Sequence, residues 1–261
     1  MKKIECIIMD WAGTAVDFGC FAPVGAFMKA FEEKGIRLTS EEIRLPMGKA
    51  KIEHIRALLE MERIRSQFAA SYRREWNVDD VTEINKSFER NLFLTLAHYA
   101  VPIPGVVEAM NILREQGVKI GSTTGYTRAM MDIVQPEAAK RGYSADCCVT
   151  PDGLPAGRPA PFMIFRNMIN LNVQHADCVV KIGDTLEDIR EGLHAKVHVV
   201  GVIMGSSELG LSADETEKLP PNELSKKMNA VGNRMLQAGA HHVLDSIEEL
   251  PCLIHTINST M

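Results

Sequence analysis

Short apolar runs that each stop at a polar residue, with a helical stretch after each, constrain this chain more than any other feature. "GVKIGSTT" precedes a helix opening near Thr127, "DCCVT" one near Pro159, and "DCVVKIGDT" one at Leu186; "VHVVGVIMG" and "HHVLDS" close the series. A first run of the same kind, "IECIIMD", stands near the start of the chain and surfaces at Asp10. Runs this short and this uniformly apolar suit strands buried on both faces, and the intervening helices let successive strands lie parallel. The expected fold class is therefore α/β, built on a parallel-sheet core.

The alternation is interrupted once. From about Pro23 to Ala100 the chain reads almost entirely as helix. "VGAFMKAFEEKG" carries an apolar stripe (Val24, Phe27, Met28, Phe31) and stops at Gly35, and Thr39 or Ser40 could cap the short "EEIRL". "GKAKIEHIRALLEM", "RIRSQFAASYRREW" and "VDDVTEINKSFERNLFLTLAHYA" follow as three more amphipathic helices. Residues 1–20 and 101–261 are expected to form one core, and 21–100 an all-helical insert after the first strand. A chain of 261 residues, 46% of them hydrophobic, can fill both.

Several function classes lose support at once. A net charge of −5 gives no general reason to bind nucleic acid or an anionic membrane, so a small anionic metabolite is the better match. The six cysteines show no C-x-x-C pairing and several sit in strand-like runs, as small hydrophobes do. Met1-Lys2-Lys3 resembles the start of a signal peptide, but the apolar run after it ends at Asp10, too early. The run around Val197 to Met204 is far short of a membrane span. A reduced, cytoplasmic, soluble protein is expected. His241-His242 lacks neighbours that would complete a metal-ligand set.

Ligands of open α/β sheets bind beyond the carboxyl ends of the strands, so the residues ending each strand matter most. These are Asp10; Thr123-Thr124-Gly125-Tyr126; Gly157-Arg158-Pro159 after "CCVT"; and Asp184-Thr185 with Asp188 one helical turn on. Carboxylates offer hard oxygens to Mg²⁺, a hydroxyl and an arginine suit phosphate oxygens, and an Asp beside the metal can attack phosphorus. Singly, each has a plainer explanation: an Asp after a strand is more often a cap or turn residue, and a lone Arg a surface charge. Their recurrence in order at successive strand ends is what points to a site.

In that order, Asp10-x-x-Gly13-Thr14, Thr124, Arg158 before Pro159, and Gly183-Asp184-x-x-x-Asp188 resemble the four motifs of the haloacid dehalogenase superfamily. The resemblance covers essentially the whole chain. It implies a Rossmann-like core, a cap domain formed by the helical insert, an Mg²⁺ site and an aspartyl-phosphate intermediate. Cap closure would then hinge near Phe18–Pro23 and Ala100–Gly105, and the Val81–Tyr99 and "VGAFMKAF" helices could meet a second subunit.

One position departs from the common pattern. Superfamily phosphatases usually read Asp-x-Asp, the second Asp serving as general acid and base, and here that position is Ala12. Either catalysis is lost or the leaving group needs no proton donor there. A compensating group lies in "LPMGKAKIEHIRALLE", where helical spacing puts Met47, Lys51, His54, Ile55 and Leu58 on one side and Lys49 opposite. Lys51 could simply lay its stem along apolar surface with its head in water, and His54 could be an ordinary half-buried residue. A partly desolvated lysine can also condense with a carbonyl, so that carbon rather than oxygen leaves phosphorus.

"DWAGTAVDFGCFAP", "PMGKAKIEHI" and "GSTTGYTRAMMDIV" together resemble the phosphonatase branch of the superfamily. That resemblance implies hydrolysis of phosphonoacetaldehyde to acetaldehyde and phosphate by an Mg²⁺-dependent homodimer. It makes Asp10 the nucleophile and a metal ligand, with Asp184 and the Ala12 carbonyl as further ligands and Asp188 outside them or bound through water. It assigns Thr124, Arg158 and the Gly125 amide to the phosphoryl group and Lys51 to the imine. His54 would assist proton transfer, with Met47, Cys20 and Tyr126 shaping the pocket. An ordinary phosphatase or phosphomutase and a silent metabolite-binding protein are the competing expectations.

Overall fold

The computed structural model of the protein describes residues 3–260; Met1 and Lys2, two of the three residues of the signal-like start, lie outside the described residues. Its six strands are β1 (Cys6–Met9), β2 (Lys119–Thr123), β3 (Cys147–Val149), β4 (Val179–Gly183), β5 (His198–Val202) and β6 (His242–Leu244). Every neighbouring pair is parallel, in the order β3-β2-β1-β4-β5-β6. The sheet grows from β1 toward β2 and β3 on one side and toward β4 on the other. The crevice produced by that reversal opens at the carboxyl ends of β1, β2 and β4.

Seven helices lie between β1 and β2, and the first six make up the insert: α1 (Phe21–Glu32), α2 (Ser40–Arg44), α3 (Lys51–Glu60), α4 (Glu62–Tyr72), α5 (Val78–Phe93) and α6 (Leu96–Tyr99). Thr39 caps α2 in a reciprocal capping box with Glu42. The stretch expected as one long helix from Val81 is two, parting at Leu94–Thr95. There the Thr95 hydroxyl and amide both bond the Leu92 carbonyl, at 3.1 and 2.9 Å, a local alternative to the helical ladder. The stripes of α1 and α5 face each other: Phe27 stacks on Phe88 with centroids 4.1 Å apart, and Phe31, Val81 and Ile84 are buried. Those stripes, expected to meet a second subunit, are largely consumed inside the chain.

The remaining helices are α7 (Val106–Glu115), α8 (Arg128–Ala139), α9 (Phe162–Asn170), α10 (Leu186–Ala195), α11 (Ala213–Lys218), α12 (Pro221–Gln237) and α13 (Leu250–Thr260). Alternate strand residues choose opposite faces. Ile7 and Met9 of β1 join residues of α7, α8 and α13, whereas Cys6 and Ile8 join Ile164 of α9 and Ala195 of α10. Val199 of β5 packs with Ile189 of α10 and Met235 of α12. Both faces are covered, as the uninterrupted apolar runs require. The helix expected near Pro159 starts later, at Phe162, because the chain first makes a turn in which the Ala160 amide bonds the Gly157 carbonyl at 3.0 Å. Among the described residues no disulfide joins the cysteines, and no helix is long and apolar enough to cross a membrane.

The two connections between the sheet and the helical insert run side by side. Asp17 donates its amide to Val101 (3.1 Å) and Ile103 to Ala15 (3.0 Å). The Asp17 carboxylate then accepts from the amides of Phe21 and Ala22 at 2.9 and 3.0 Å, satisfying two open donors at the start of α1. Burial pushes that carboxyl up to about 7, against the pull of the same two amides.

Candidate active site

Three carboxylates from two strand ends converge in the crevice. Asp10 follows β1, its amide bonded to Ile182 of β4 at 2.9 Å. Asp184 follows β4, and Asp188 lies on the first turn of α10. An oxygen of each lies within 4.8 Å of an oxygen of the others, and all three residues are buried. The turn after Asp10 permits this: Gly13 has φ +89, and a Cβ there would fall 2.3 Å from Asp184 Oδ2. Thr14 Oγ1 donates to Asp184 Oδ1 at 3.0 Å and the Ser207 amide to Oδ2 at 2.8 Å.

Arg158 reaches the same point from the loop after β3. Its Nη2 donates to Asp10 Oδ1 (2.5 Å) and Thr123 Oγ1 (2.8 Å), its Nε to Glu191 Oε2 (3.0 Å), and Nη1 lies 3.1 Å from Asp188 Oδ1. Of five N–H groups, four face protein acceptors, leaving one on Nη1 for a ligand. Arg158 thus grips Asp10 itself as well as facing the crevice. Lys181, in the middle of β4, lies 2.8 Å from Asp188 Oδ1 and 3.4 Å from Glu191 Oε2, and donates to Thr123 Oγ1 at 2.9 Å.

These surroundings divide the carboxyl groups. Burial pushes Asp10 up despite the neighbouring Arg158 cation, and burial together with the charges of Asp10 and Asp188 pushes Asp184 well above the usual range. Burial acts on Asp188 too, but Arg158 and Lys181 outweigh it and hold that group low. Asp188 also closes a capping box with Thr185, so the plainer role of a helix cap and a place in the site coexist in one residue. The all-oxygen set of Asp10, Asp184 and Asp188, short of positive charge at Asp184, fits a hard divalent cation.

The helical insert closes the crevice. A small cavity is lined on the sheet side by Asp10, Ala12, Thr124, Gly125, Tyr126, Arg158 and Thr185. From the other side come Cys20, Pro23, Met47, Gly48 and Lys51. Thr124 is turned by its own hydroxyl, which accepts the Tyr126 amide at 3.0 Å. Tyr126 and Cys20 are buried, which pushes both side chains well above their ordinary pKa values.

Lys51 opens α3, and a Cβ on Gly125 would lie 3.9 Å from its Nζ. Rings of Phe27, Phe88 and Tyr126 surround that ammonium at 5.9, 5.7 and 5.9 Å. Over the whole residue Lys51 is half-buried, yet its head sits in the enclosed cavity; desolvation there lowers its pKa, with Cys20 and Asp10 acting the other way.

Two details of the expected helix face change. Met47 lies before α3, not on it, because Gly48 takes φ +90. A Cβ on Gly48 would sit 2.8 Å from Thr185 Oγ1 and 2.9 Å from Glu187 Cβ, so the turn hugs the sheet domain and still delivers Met47 to the cavity. His54 does not line the cavity. It is fully buried among the helices, stacked on Phe27 at 4.1 Å, and neither ring nitrogen makes a hydrogen bond in normal geometry. Desolvation first, then the nearby Lys51 charge, pushes its pKa well down, so the ring is neutral.

Of the buried polar group behind Arg158, Thr123 stood at an expected strand end, whereas Lys181 and Glu191 were not anticipated. The available signal was a lysine inside "VVKIG", a run otherwise fit for complete burial, and a glutamate one turn beyond Asp188. Lys181→Met would strand Asp188 and Glu191 with too little positive charge. The expected loss of stability in urea or thermal unfolding is about 3–5 kcal/mol, the range for breaking a buried pair. Adding Glu191→Gln should recover part of it, giving a non-additive double-mutant cycle. Additive losses would show that the two side chains do not interact.

Comparison with known proteins places this geometry. The family model of haloacid dehalogenase-like hydrolases matches residues 4–196. A phosphonoacetaldehyde hydrolase of Bacteroides fragilis is 58% identical over 261 residues, covering 100% of this chain and 99% of the relative. Its counterpart of the same name in Parabacteroides distasonis is 55% identical, covering 99% of this chain and 98% of its own. Among solved structures, a phosphonoacetaldehyde hydrolase-like protein from Oleispira antarctica superposes with a TM-score of 0.95 at 36% identity, covering 98% of this chain and 93% of the other.

Proposed function

The chain belongs to the haloacid dehalogenase-like hydrolases and is an enzyme of the hydrolase class, and from that premise we propose that it cleaves the C–P bond of phosphonoacetaldehyde. One observation carries this reading: a cavity that joins Asp10 to a desolvated Lys51, with Ala12 where an oxygen-leaving reaction would want an acid. The names of the close relatives support the same substrate.

In this reading Lys51, as the free amine, adds to the aldehyde and, with one proton taken up from solvent, expels water, leaving a cationic iminium. Asp10 attacks phosphorus as the C–P bond breaks. The bonding pair moves into the iminium, giving an enamine on Lys51 and an acyl phosphate on Asp10. Protonation at carbon followed by water returns acetaldehyde and Lys51, and a second water releases phosphate from Asp10. No alkoxide departs, so an alanine at position 12 costs nothing. Arg158 aims the Asp10 oxygen, and Thr124, the Gly125 amide and the spare Arg158 N–H receive phosphoryl oxygens. Met47, Cys20 and Tyr126 keep water from the imine. His54, neutral and buried one turn from Lys51, acts through packing and by adding no charge against the iminium.

Mg²⁺ is the proposed metal; Asp10, Asp184 and the Ala12 carbonyl would hold it, with Asp188 beside them. When bound it screens the repulsion between Asp10 and an anionic phosphoryl group. Residues 21–100 act as a cap domain on a core of 1–20 and 101–261, hinged at the paired connections, in a cytoplasmic homodimer.

The test is release of phosphate and acetaldehyde from phosphonoacetaldehyde, in equal amounts, dependent on Mg²⁺ and stopped by a chelator. Faster turnover of small phosphate esters would favour an ordinary phosphatase. Absence of any release would leave a binding protein.

A further inference from the structure

Arg44 ends α2 in the helical insert, yet its guanidinium lies in the seam against the sheet domain. Nη1 donates to the carbonyl of Gly19, in the first connection, at 2.7 Å and to the carbonyl of Ser207, in the loop after β5, at 3.2 Å. The group rests over the Phe21 ring, with Cζ 4.9 Å from its centroid. Gly210 admits it: a Cβ there would stand 3.0 Å from Nε. Nη2 is buried in the same seam with no hydrogen-bond partner among the described residues. A half-buried cation with one buried nitrogen left unsatisfied is costly as mere glue.

The far side of Ser207 explains what such a contact does. Ser207 gives its amide to Asp184 Oδ2 at 2.8 Å, one of two donors that hold this carboxylate; Thr14 is the other. One residue is thus gripped at its carbonyl by the helical insert and, at its amide, grips a carboxylate of the metal-fitting cluster. We propose that Arg44 is a positioning residue that couples closure of the cap to the aim of Asp184, so that the cation site reaches full affinity only with the cap shut. Opening the cap withdraws Arg44, frees the 207 carbonyl and loosens the amide on Asp184. The inference rests on the metal site proposed above but not on the identity of the substrate.

The experiment is calorimetric titration of Mg²⁺ into the full-length protein without substrate, comparing wild type, Arg44→Gln and Arg44→Lys. Partners one layer out from a metal ligand typically govern affinity by 10–100-fold, and Arg44 acts through one further residue, so about a tenfold weakening is expected for the Gln variant. Lysine keeps the charge but cannot bridge two carbonyls in a planar fork, so a smaller loss is expected. It carries the test if the Gln variant fails to fold. Mg²⁺ affinity within about twofold of wild type in a folded variant would overturn the proposal, whatever happens to melting temperature or turnover. A wild type that binds no Mg²⁺ would overturn both this inference and the metal assignment, while leaving the Lys51 chemistry to be judged by its own trapping experiment.

Discussion

Lys51→Arg is expected to lower turnover of phosphonoacetaldehyde by about 10³-fold or more, the scale seen when a covalent nucleophile is removed. Arginine keeps the positive charge, much of the length and the contacts with the three surrounding rings. It cannot give up its proton to become a nucleophile at any ordinary pH. The substitution therefore isolates imine formation from charge and packing. Borohydride added with substrate should attach a reduced two-carbon adduct to wild-type Lys51, read by peptide mass spectrometry, and none to the variant. Turnover in Lys51→Arg within tenfold of wild type would remove the imine from the mechanism.

The same residue sets a pH dependence whose sign is determined. Attack needs the neutral amine, and desolvation lowers the pKa of Lys51 from its ordinary 10.5. Activity limited by this step rises as pH increases through the lowered pKa, and that limb lies at lower pH than for a solvated lysine. Exposing the cavity should move the limb upward.

Asp10→Asn carries the second large effect. Phosphate release should fall by about 10⁴-fold or more, since the side chain that accepts the phosphoryl group no longer carries a nucleophilic oxygen anion. The fold should not suffer. Asp10 and Asp184 are both pushed up by burial, Asp184 further by the charges of Asp10 and Asp188; removing the Asp10 charge relieves that crowding. Asparagine can still accept from Arg158, which keeps Thr123, Asp188 and Glu191 as partners. The melting temperature should stay level or rise, as often follows when a strained functional group is neutralised. Imine chemistry on Lys51 needs no Asp10, so the borohydride adduct should persist in this variant. Retained phosphate release, or loss of the adduct along with activity, would separate the assignments of the two residues from what the geometry supports.

Much of this arrangement was legible before any coordinates. The apolar runs ended where the strands end, at Met9, Thr123, Val149, Gly183 and Val202 or close by, because burial on both faces leaves a run no freedom to be polar. The helical insert was equally plain from its 3.6-residue stripes. Asp10, Thr124 and Asp184 followed as the residues just past those ends, and Arg158 as the cation on the loop after the third of them. Departures came where a backbone detail overrode periodicity: Gly48 moved Met47 off the helix, Thr95 divided the last long stretch of the insert, and the turn at Pro159 delayed α9.

The partners of each side chain were a different matter. Periodicity put Lys51 and His54 on one face, yet packing sent the lysine head into the cavity and the imidazole into the helical core against Phe27. Nothing local says that Arg158 meets Asp10, 148 positions earlier, or that Arg44 reaches Ser207, 163 positions later. The sequence alone determined which segments become strands and helices and which residues stand at strand ends, since both depend on neighbours along the chain and on the cost of burying polarity. The tertiary structure alone decided which charge faces which, because pairing in a low-dielectric interior depends on distances of a few ångströms between groups that the chain keeps far apart.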